Sequence, residues 1–216
     1  MTAISVVTPW LNAHELIPAY SRALDYGLRD RDRLIVVDNC SDPPLRIGPA
    51  DLEIHLFQNL GFSGACNAGL AEVETDAVLF LNNDISMTSS EWLDQIRSAL
   101  RPGVLVGAQL RTDAHARVDG RTIPYLDGWC VGGMTEEIRA LGGFDSLEEP
   151  AYYSDNILSV RAKARGMKLV QVPVGLKHIG NYSTRRMNVD GVSQRNRERY
   201  EEVVRTMNPA LYMPRG

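Results

Sequence analysis

The chain has 216 residues, of which 44% are hydrophobic and 23% are charged, and its net charge is −4 at pH 7. These values are typical of a globular protein of one domain, and the lack of a basic excess argues against a general nucleic-acid binder. No apolar run approaches the ~18 residues of a transmembrane helix, and the residues after Met1 do not resemble a signal peptide. The cysteines, Cys40, Cys66 and Cys130, have no metal-binding spacing, so we expect free thiols and a cytoplasmic location.

Predicted strands and helices alternate in the first half of the chain. The predicted strands cover 4–8, 33–37, 53–57, 77–81 and 104–110. Asn12 with Glu15, and Thr88 with Glu91, are capping-box-like signals that predict helices starting at these two places, and a third helix is predicted at 63–73. Alternation of this kind predicts an α/β fold with a mostly parallel, doubly wound sheet.

The second half is less regular. Residues 112–124 are polar and show no clear period. Beyond them the sequence predicts strands at 129–134 and 168–174 and helices at 135–141, 155–165 and 192–205. Pro173 interrupts the last predicted strand, which should therefore lie at an edge of the sheet.

The segment from Val78 to Asp84 contains the strongest local signal. Four apolar residues, Val78 to Leu81, predict a strand buried on both faces, and Asn82, Asn83 and Asp84 follow directly. Ligands of open α/β sheets bind beyond the carboxyl ends of the strands, so these polar residues are candidates for a ligand site. The alternative is that Asp84 only stabilises a turn.

Other candidates carry a functional and a structural interpretation side by side. Gly61 and Gly64 precede a helix and could allow an anionic ligand to approach, or could serve close helix packing. His178 could bind a metal or be structural, and Asp155 could be a helix N-cap. Arg185 and its neighbour Arg186 could clamp a phosphate or simply be solvated. The chain has no P-loop, HExxH or GxSxG motif.

Taken in order, several segments resemble the inverting family 2 glycosyltransferases, which have the GT-A fold. The segments are ISVVTPWLN (4–12), VVDNCS (36–41), NLGFSGACN (59–67), LNND (81–84), GGFD (142–145), SD (154–155) and VP leading to His178 (172–178). The resemblance covers roughly residues 4–183, and the segments at 59–67 and 81–84 look most like the rhamnosyltransferase-like branch. It implies a GT-A-type, mostly parallel Rossmann-like sheet flanked by helices, with a less regular C-terminal half on the acceptor side.

The resemblance also implies roles for individual residues. Asp155 stands at the position of the family's general base, Asp84 and His178 at its metal positions, and Trp129 and Gly133 on its acceptor side. Asp38 would hold the nucleobase and Asp84 would also touch the ribose. The residues implied in binding the nucleotide-sugar are Thr8, Pro9, Asp38, Asn59, Gly61, Asn67, Asn82, Asn83, Asp84 and Arg185. The implied cofactor is a divalent metal, Mn²⁺ or Mg²⁺.

The implied activity is that of a hexosyltransferase-type glycosyltransferase. It would move a sugar from a UDP- or dTDP-linked donor to the hydroxyl of a glycan, protein or small-molecule acceptor, with no nucleic acid and no integral membrane segment involved. A single GT-A domain over 1–216 is expected, with a nucleotide-sugar half (1–110), an acceptor and catalytic half (111–189) and a C-terminal helix and tail (190–216). A homo-oligomer is left open, with the helix at 192–205 as the pairing surface.

Two departures from the family pattern keep alternatives open. Asn82 replaces the first acid of the family's DXD motif, and Ser154 replaces the acid before Asp155. A non-catalytic relative that binds sugar nucleotides or glycans would explain both changes. A sugar nucleotidyltransferase is the other alternative, but residues 9–12 lack the Gly-rich, basic loop that such an enzyme needs after its first strand.

Overall fold

The computed structural model of the chain describes residues 2–145, 152–180 and 192–207. Its strands are, in chain order, β1 (Ile4–Trp10), β2 (Arg33–Asp38), β3 (Leu52–His55), β4 (Ala77–Leu81), β5 (Ile85–Met87), β6 (Val104–Gly107), β7 (Leu110–Arg111), β8 (Arg117–Val118), β9 (Arg121–Thr122), β10 (Tyr125–Leu126), β11 (Cys130–Met134), β12 (Lys168–Gln171) and β13 (Leu176–His178). Its α-helices are α1 (Ile17–Gly27), α2 (Gly61–Ala71), α3 (Trp92–Ala99), α4 (Thr135–Leu141), α5 (Ser154–Ala164) and α6 (Val192–Met207).

A seven-stranded sheet with the order β12-β6-β11-β4-β1-β2-β3 forms the centre of the fold. Every neighbouring pair is parallel except the two made by β11, which is antiparallel to both β4 and β6. The prediction of a mostly parallel α/β sheet is confirmed, and β12 lies at an edge as Pro173 indicated. The carboxyl ends of the parallel strands and the start of β11 therefore share one side of the sheet.

Both faces of the sheet are buried, and alternate residues of the central strands point to opposite faces. In β4, Leu79 and Leu81 belong to the apolar layer shared with α1 and α3. Val78 and Phe80 belong to the opposite layer, which is shared with α2, α4 and α5. This two-sided burial explains why β4 reads as a continuous apolar run.

The capping interpretation of Asn12 is wrong. Asn12 has φ +52°, and its side-chain oxygen accepts a hydrogen bond from the Asp42 backbone N–H at 2.7 Å. The side chain thus stabilises the loop after β2, and α1 begins only at Ile17, after a 3₁₀ turn at His14–Leu16. No side-chain cap is found at the start of α3 either. At Asn12, the side-chain oxygen that the local pattern assigned to a helix cap accepts a tertiary hydrogen bond instead.

Residues 112–124, which show no period, pack against the C-terminal helix. They contain a 3₁₀ turn and the short β8–β9 ribbon, and they join a third apolar cluster between α5 and α6. The members of this cluster are Val118, Ile123, Tyr153, Ile157, Val160, Tyr200, Val203 and Val204. The apolar stripe of α6 therefore contacts its own chain. Among the described helices, none combines the length and apolar character needed to cross a bilayer.

Candidate active site

A cavity of about 590 Å³ opens at the carboxyl ends of the parallel strands. Residues at and just after the ends of β1, β2 and β4 line it, together with residues from the segments 109–115, 125–129 and 152–156. Ligand sites of open α/β sheets lie in this position. We call the first group of lining residues, with His178, the first wall and the second group the second wall.

Asp84 and His178 meet on the first wall. The short antiparallel ribbon of β5 and β13 pairs Ile85 with His178, which places the imidazole beside Asp84. His178 Nε2 lies 3.0 Å from Asp84 Oδ1 and 3.4 Å from Asn82 Nδ2. The indole of Trp129 stacks on the imidazole, with ring centroids 5.1 Å apart and planes 9° from parallel. The ring of His178 is thus held from two sides.

The donor atoms at this place fit a hard divalent cation. Asp84 offers a carboxylate oxygen, His178 an imidazole nitrogen, and the buried Oδ1 of Asn82 has no hydrogen-bond partner. Oxygen ligands with one imidazole suit Mn²⁺ or Mg²⁺. No group of three or more His, Cys, Asp or Glu side chains forms a metal site within the described ranges. A cation held by these residues would therefore take further ligands from a bound molecule or from water.

Asp155 lies on the second wall, in the first turn of α5. Its Oδ2 accepts a hydrogen bond from the Gly128 N–H at 2.9 Å, and its Oδ1 accepts one from the Asn156 N–H at 3.0 Å. Burial, and then the negative charge of Asp127, raise the pKa of Asp155 to about 7. A carboxylate with this pKa can accept a proton near neutral pH.

Asp127 was missed by the sequence analysis. It follows β10, and its carboxylate is paired with the Arg111 guanidinium at 2.7 Å. Ser154 leaves Asp155 without the acidic neighbour that the resemblance would supply, but Asp127 brings a carboxylate close to it from another segment. No local pattern marked Asp127, because its nearness to Asp155 arises from tertiary packing.

A network of amide hydrogen bonds fixes the start of α2 at the cavity. Asn39 Nδ2 donates to Asn59 Oδ1 at 2.8 Å and to the Gly61 carbonyl at 3.1 Å. Asn59 Oδ1 also accepts from the Gly61 N–H at 2.8 Å. The predicted residues that line the cavity are Pro9, Asn59, Gly61, Asn82, Asn83, Asp84, Trp129, Asp155 and His178. The structure thus brings most of the predicted set together.

Thr8 and Asp38 do not line the cavity. The hydroxyl of Thr8 is hydrogen-bonded to that of Tyr20, and both are buried. Asp38 accepts hydrogen bonds from the Ser41 N–H at 2.9 Å and the Leu45 N–H at 2.8 Å. Burial acts to raise the pKa of Asp38, but hydrogen bonds from the Ser41 side chain, from these two N–H groups and from His55 outweigh it, and the pKa lies below its usual value. The Asp38 carboxylate therefore holds the loop that follows β2.

Asn67 and Gly133 also lie away from the cavity lining. Asn67 donates to the carbonyl of Phe144 and accepts from its N–H, at 2.8 and 2.9 Å, and so fixes the turn after α4. Gly133 is paired with Val78 inside the central sheet. Arg185, with its neighbour Arg186, lies outside the described residues.

Solved glycosyltransferase structures resemble this fold. The mannosyltransferase PcManGT from Pyrobaculum calidifontis, in complex with GDP-Man and Mn²⁺, aligns with a TM-score of 0.64 at 13% identity, over 97% of this chain and 74% of that one. GalNAc-T7 with UDP, GalNAc and Mn²⁺ aligns with a TM-score of 0.73 at 13% identity, over 95% of this chain and 48% of that one. Residues 1–349 of TarS from S. aureus align with a TM-score of 0.61 at 17% identity, over 96% and 71%.

At these identities the likeness shows the fold alone, and it confirms the GT-A-type architecture. The chain spans about half the length of the GalNAc-T7 structure. A comparison with curated protein sequences gave no significant match. Residues 5–142, more than half of the chain, match the family described as Glycosyl transferase family 2. The chain therefore belongs to glycosyl transferase family 2.

Proposed function

We propose that the protein is an inverting glycosyltransferase that moves a hexose from a UDP- or dTDP-linked donor to an acceptor hydroxyl. The observation that carries this proposal is the arrangement of the cavity. A carboxylate with a pKa near neutrality, Asp155, and a cation-binding pair, Asp84 with His178, line the same 590 Å³ space. A transfer from a nucleotide-diphospho-sugar needs both functions, one at the attacking oxygen and one at the leaving group.

Asp84 and His178, with the unpartnered Oδ1 of Asn82, would hold a divalent cation. When bound, such a cation neutralises the charge that develops on the departing diphosphate. PcManGT and GalNAc-T7 were solved with Mn²⁺ together with a nucleotide or nucleotide-sugar, which supports this part of the proposal. Arg185 is proposed to act at the diphosphate. Asp38 is proposed to act at the nucleobase through the loop after β2, which its carboxylate holds by hydrogen bonds from Ser41 and Leu45.

Asp155 acts as the general base. It accepts the proton of the acceptor hydroxyl while that oxygen attacks C1 of the donor sugar from the face opposite the diphosphate. The new C1–O bond forms as the bond from C1 to the diphosphate oxygen breaks, so the configuration at C1 inverts and no covalent enzyme intermediate is needed. Hydrogen bonds from Gly128 and Asn156 hold the carboxylate in place throughout.

Calorimetric titration with UDP, dTDP and GDP, each with and without Mn²⁺, tests the donor site. We expect one nucleotide diphosphate to bind tightly only with Mn²⁺, and binding to be lost in Asp84→Ala. Asp25→Ala, at an exposed position of α1, is the matched control and should bind like the wild type. Binding of no nucleotide, with or without metal, would contradict the proposal.

The same proteins separate catalysis from binding. Asp155→Asn should bind the nucleotide as the wild type does. Its rate of sugar transfer and its low rate of donor hydrolysis should both fall by about 10²- to 10⁴-fold, the usual contribution of a general base. If the wild type itself binds the nucleotide but neither transfers nor hydrolyses any donor, the chain is a non-catalytic binding protein, which Asn82 and Ser154 would explain.

A further inference from the structure

An aromatic pair stands at the rim of the cavity, on the wall that carries Asp155. The rings of His115 and Tyr152 stack with centroids 5.9 Å apart and planes at 29°, and both residues line the cavity. Tyr152 is 39% exposed, which leaves part of its ring free to contact a ligand. Buried Tyr153 supports the pair, because its ring contacts His115 edge-on at 5.4 Å and stacks on Tyr200 at 5.6 Å.

The backbone beneath this pair is strained. Tyr152 has φ +74° and Tyr153 has φ +73°, so two successive residues that carry side chains are left-handed. Such residues cost about 1–3 kcal/mol each and cluster at ligand sites, where the surrounding packing holds them. The strained turn leads directly into the first turn of α5, which carries Asp155.

The charges on this wall disfavour an anionic ligand. Its described side chains include three carboxylates, those of Asp113, Asp127 and Asp155, against one guanidinium, that of Arg111. Arg111 is already paired with Asp127 at 2.7 Å. A phosphate or carboxylate group entering here would meet uncompensated negative charge, whereas hydroxyl groups can donate hydrogen bonds to the same oxygens.

We infer that the Tyr152–His115 pair is the acceptor subsite, and that it takes a neutral pyranose of a saccharide acceptor. A pyranose presents a face of C–H groups, which packs on an aromatic ring. Its rim carries hydroxyl groups, which can donate hydrogen bonds to the carboxylates of Asp113 and Asp155. The ring of Tyr152 holds the sugar while one of the sugar's hydroxyl groups reaches Asp155. This inference rests on the proposed function, since it names the acceptor of the same reaction.

Saturation-transfer NMR tests the subsite directly, without turnover. The probes are methyl glucoside, methyl galactoside and methyl mannoside, together with the 6-phosphate of each, added with and without UDP and Mn²⁺. At least one neutral glycoside should bind, with the strongest transfer to its ring C–H protons, and its 6-phosphate should bind at least about tenfold more weakly.

Variants at the pair identify the residues responsible. Tyr152→Ala should weaken binding of the neutral glycoside by about tenfold, and Tyr152→Phe should retain it, because the ring and not the hydroxyl makes the contact. His115→Ala gives a second, exposed position at which binding should also fall. Tyr26→Ala is the matched control, because Tyr26 is 55% exposed on α1 and does not line the cavity.

The outcomes separate this inference from the proposed function. Equal binding of the 6-phosphates, unchanged binding in both Tyr152→Ala and His115→Ala, or no glycoside binding to protein that binds a nucleotide would each overturn the acceptor assignment alone. Failure of every nucleotide to bind, read by calorimetry, would overturn the proposed function. The titrations without UDP still decide in that case whether the aromatic pair takes a pyranose.

Discussion

Burial is the main cause of the raised pKa of Asp155, and the negative charge of Asp127 adds to it. Ionised Asp155 is the form that accepts a proton, so kcat/KM should rise with pH through its pKa of about 7. Asp127→Asn removes a negative charge and should shift this acid limb to lower pH, by about one unit or less because burial is the larger cause. Arg111→Gln leaves the charge of Asp127 uncompensated and should shift the limb to higher pH.

The pH dependence of transfer, measured on the three proteins with a saturating donor, checks these directions. Asp119→Asn is the control, because Asp119 forms an exposed ion pair with Arg205 and does not line the cavity. If the acid limb moved in the same direction in both variants, or moved in neither, the charge of Asp127 would not contribute to the pKa of Asp155.

From the sequence, the polar residues that follow β4 could be placed at the cavity, whereas residues brought there by tertiary contacts could not. Asn82 and Asp84 follow an apolar run whose burial could be read directly, and the structure places both in the cavity. Asp127 and His115 come from segments without a period, so no local signal marks them. Thr8 could be seen to end a strand, but whether its hydroxyl faces a ligand or Tyr20 depends on the packing of α1.

At the scale of elements, α2 lies so close to the sheet that a single methyl group should displace it. A Cβ on Gly69 would clash with Val7 Cγ1 and would lie 3.1 Å from Val37 Cγ2. The better helix propensity of alanine is worth about 1 kcal/mol, and overpacking costs about 1–3 kcal/mol. We expect Gly69→Ala to lower the free energy of unfolding by about 1 kcal/mol and the Tm by about 2–4 °C.

Thermal unfolding of Gly69→Ala beside Gly48→Ala checks this expectation. Gly48 lies on an exposed loop, where an added Cβ has no atom within 4 Å, so its replacement should leave the Tm unchanged or slightly raised. An equal Tm for both variants would mean that α2 can shift without loss. Since α2 begins at Gly61 on the cavity wall, Gly69→Ala should also weaken nucleotide binding.

Helix ends marked by glycine were predicted more reliably than helix starts marked by capping residues. The helix at Thr135–Leu141 was predicted with Gly142 and Gly143 closing it, and the structure has the same bounds, with Gly142 at φ +86°. The capping signals at Asn12 and Thr88 misplaced two helix starts by several residues. A polar capping side chain can hydrogen-bond to many groups in a folded chain, whereas the left-handed residue that follows a helix is most often glycine.

At the scale of the whole molecule, α6 connects the C-terminal region to the cavity wall that carries Asp155. Tyr200 is buried and its ring stacks on Tyr153, which precedes α5. Tyr200→Ala would remove a large buried ring, so we expect a loss of about 3–5 kcal/mol in the free energy of unfolding. Activity should fall as well, because the turn that leads to Asp155 loses its support.

Denaturant unfolding and transfer assays on the same samples test this connection. Tyr200→Phe keeps the ring and should remain close to the wild type in activity. Glu198→Ala, at an exposed position of the same helix, is the control for changes in α6 itself. Full stability of Tyr200→Ala would show that α6 contributes little to the fold.

The reversed strand β11 has a consequence for how the chain is made. It lies between β4 and β6 and pairs with both. A nascent chain that has emerged only to residue 110 therefore contains β4 and β6 but lacks the strand that joins them. All five residues of β4 are buried in the finished protein, and until β11 arrives their open edge is a template for pairing with other chains. Slow synthesis between residues 107 and 134, or a stop codon there, should therefore yield an aggregating product rather than a folded N-terminal half.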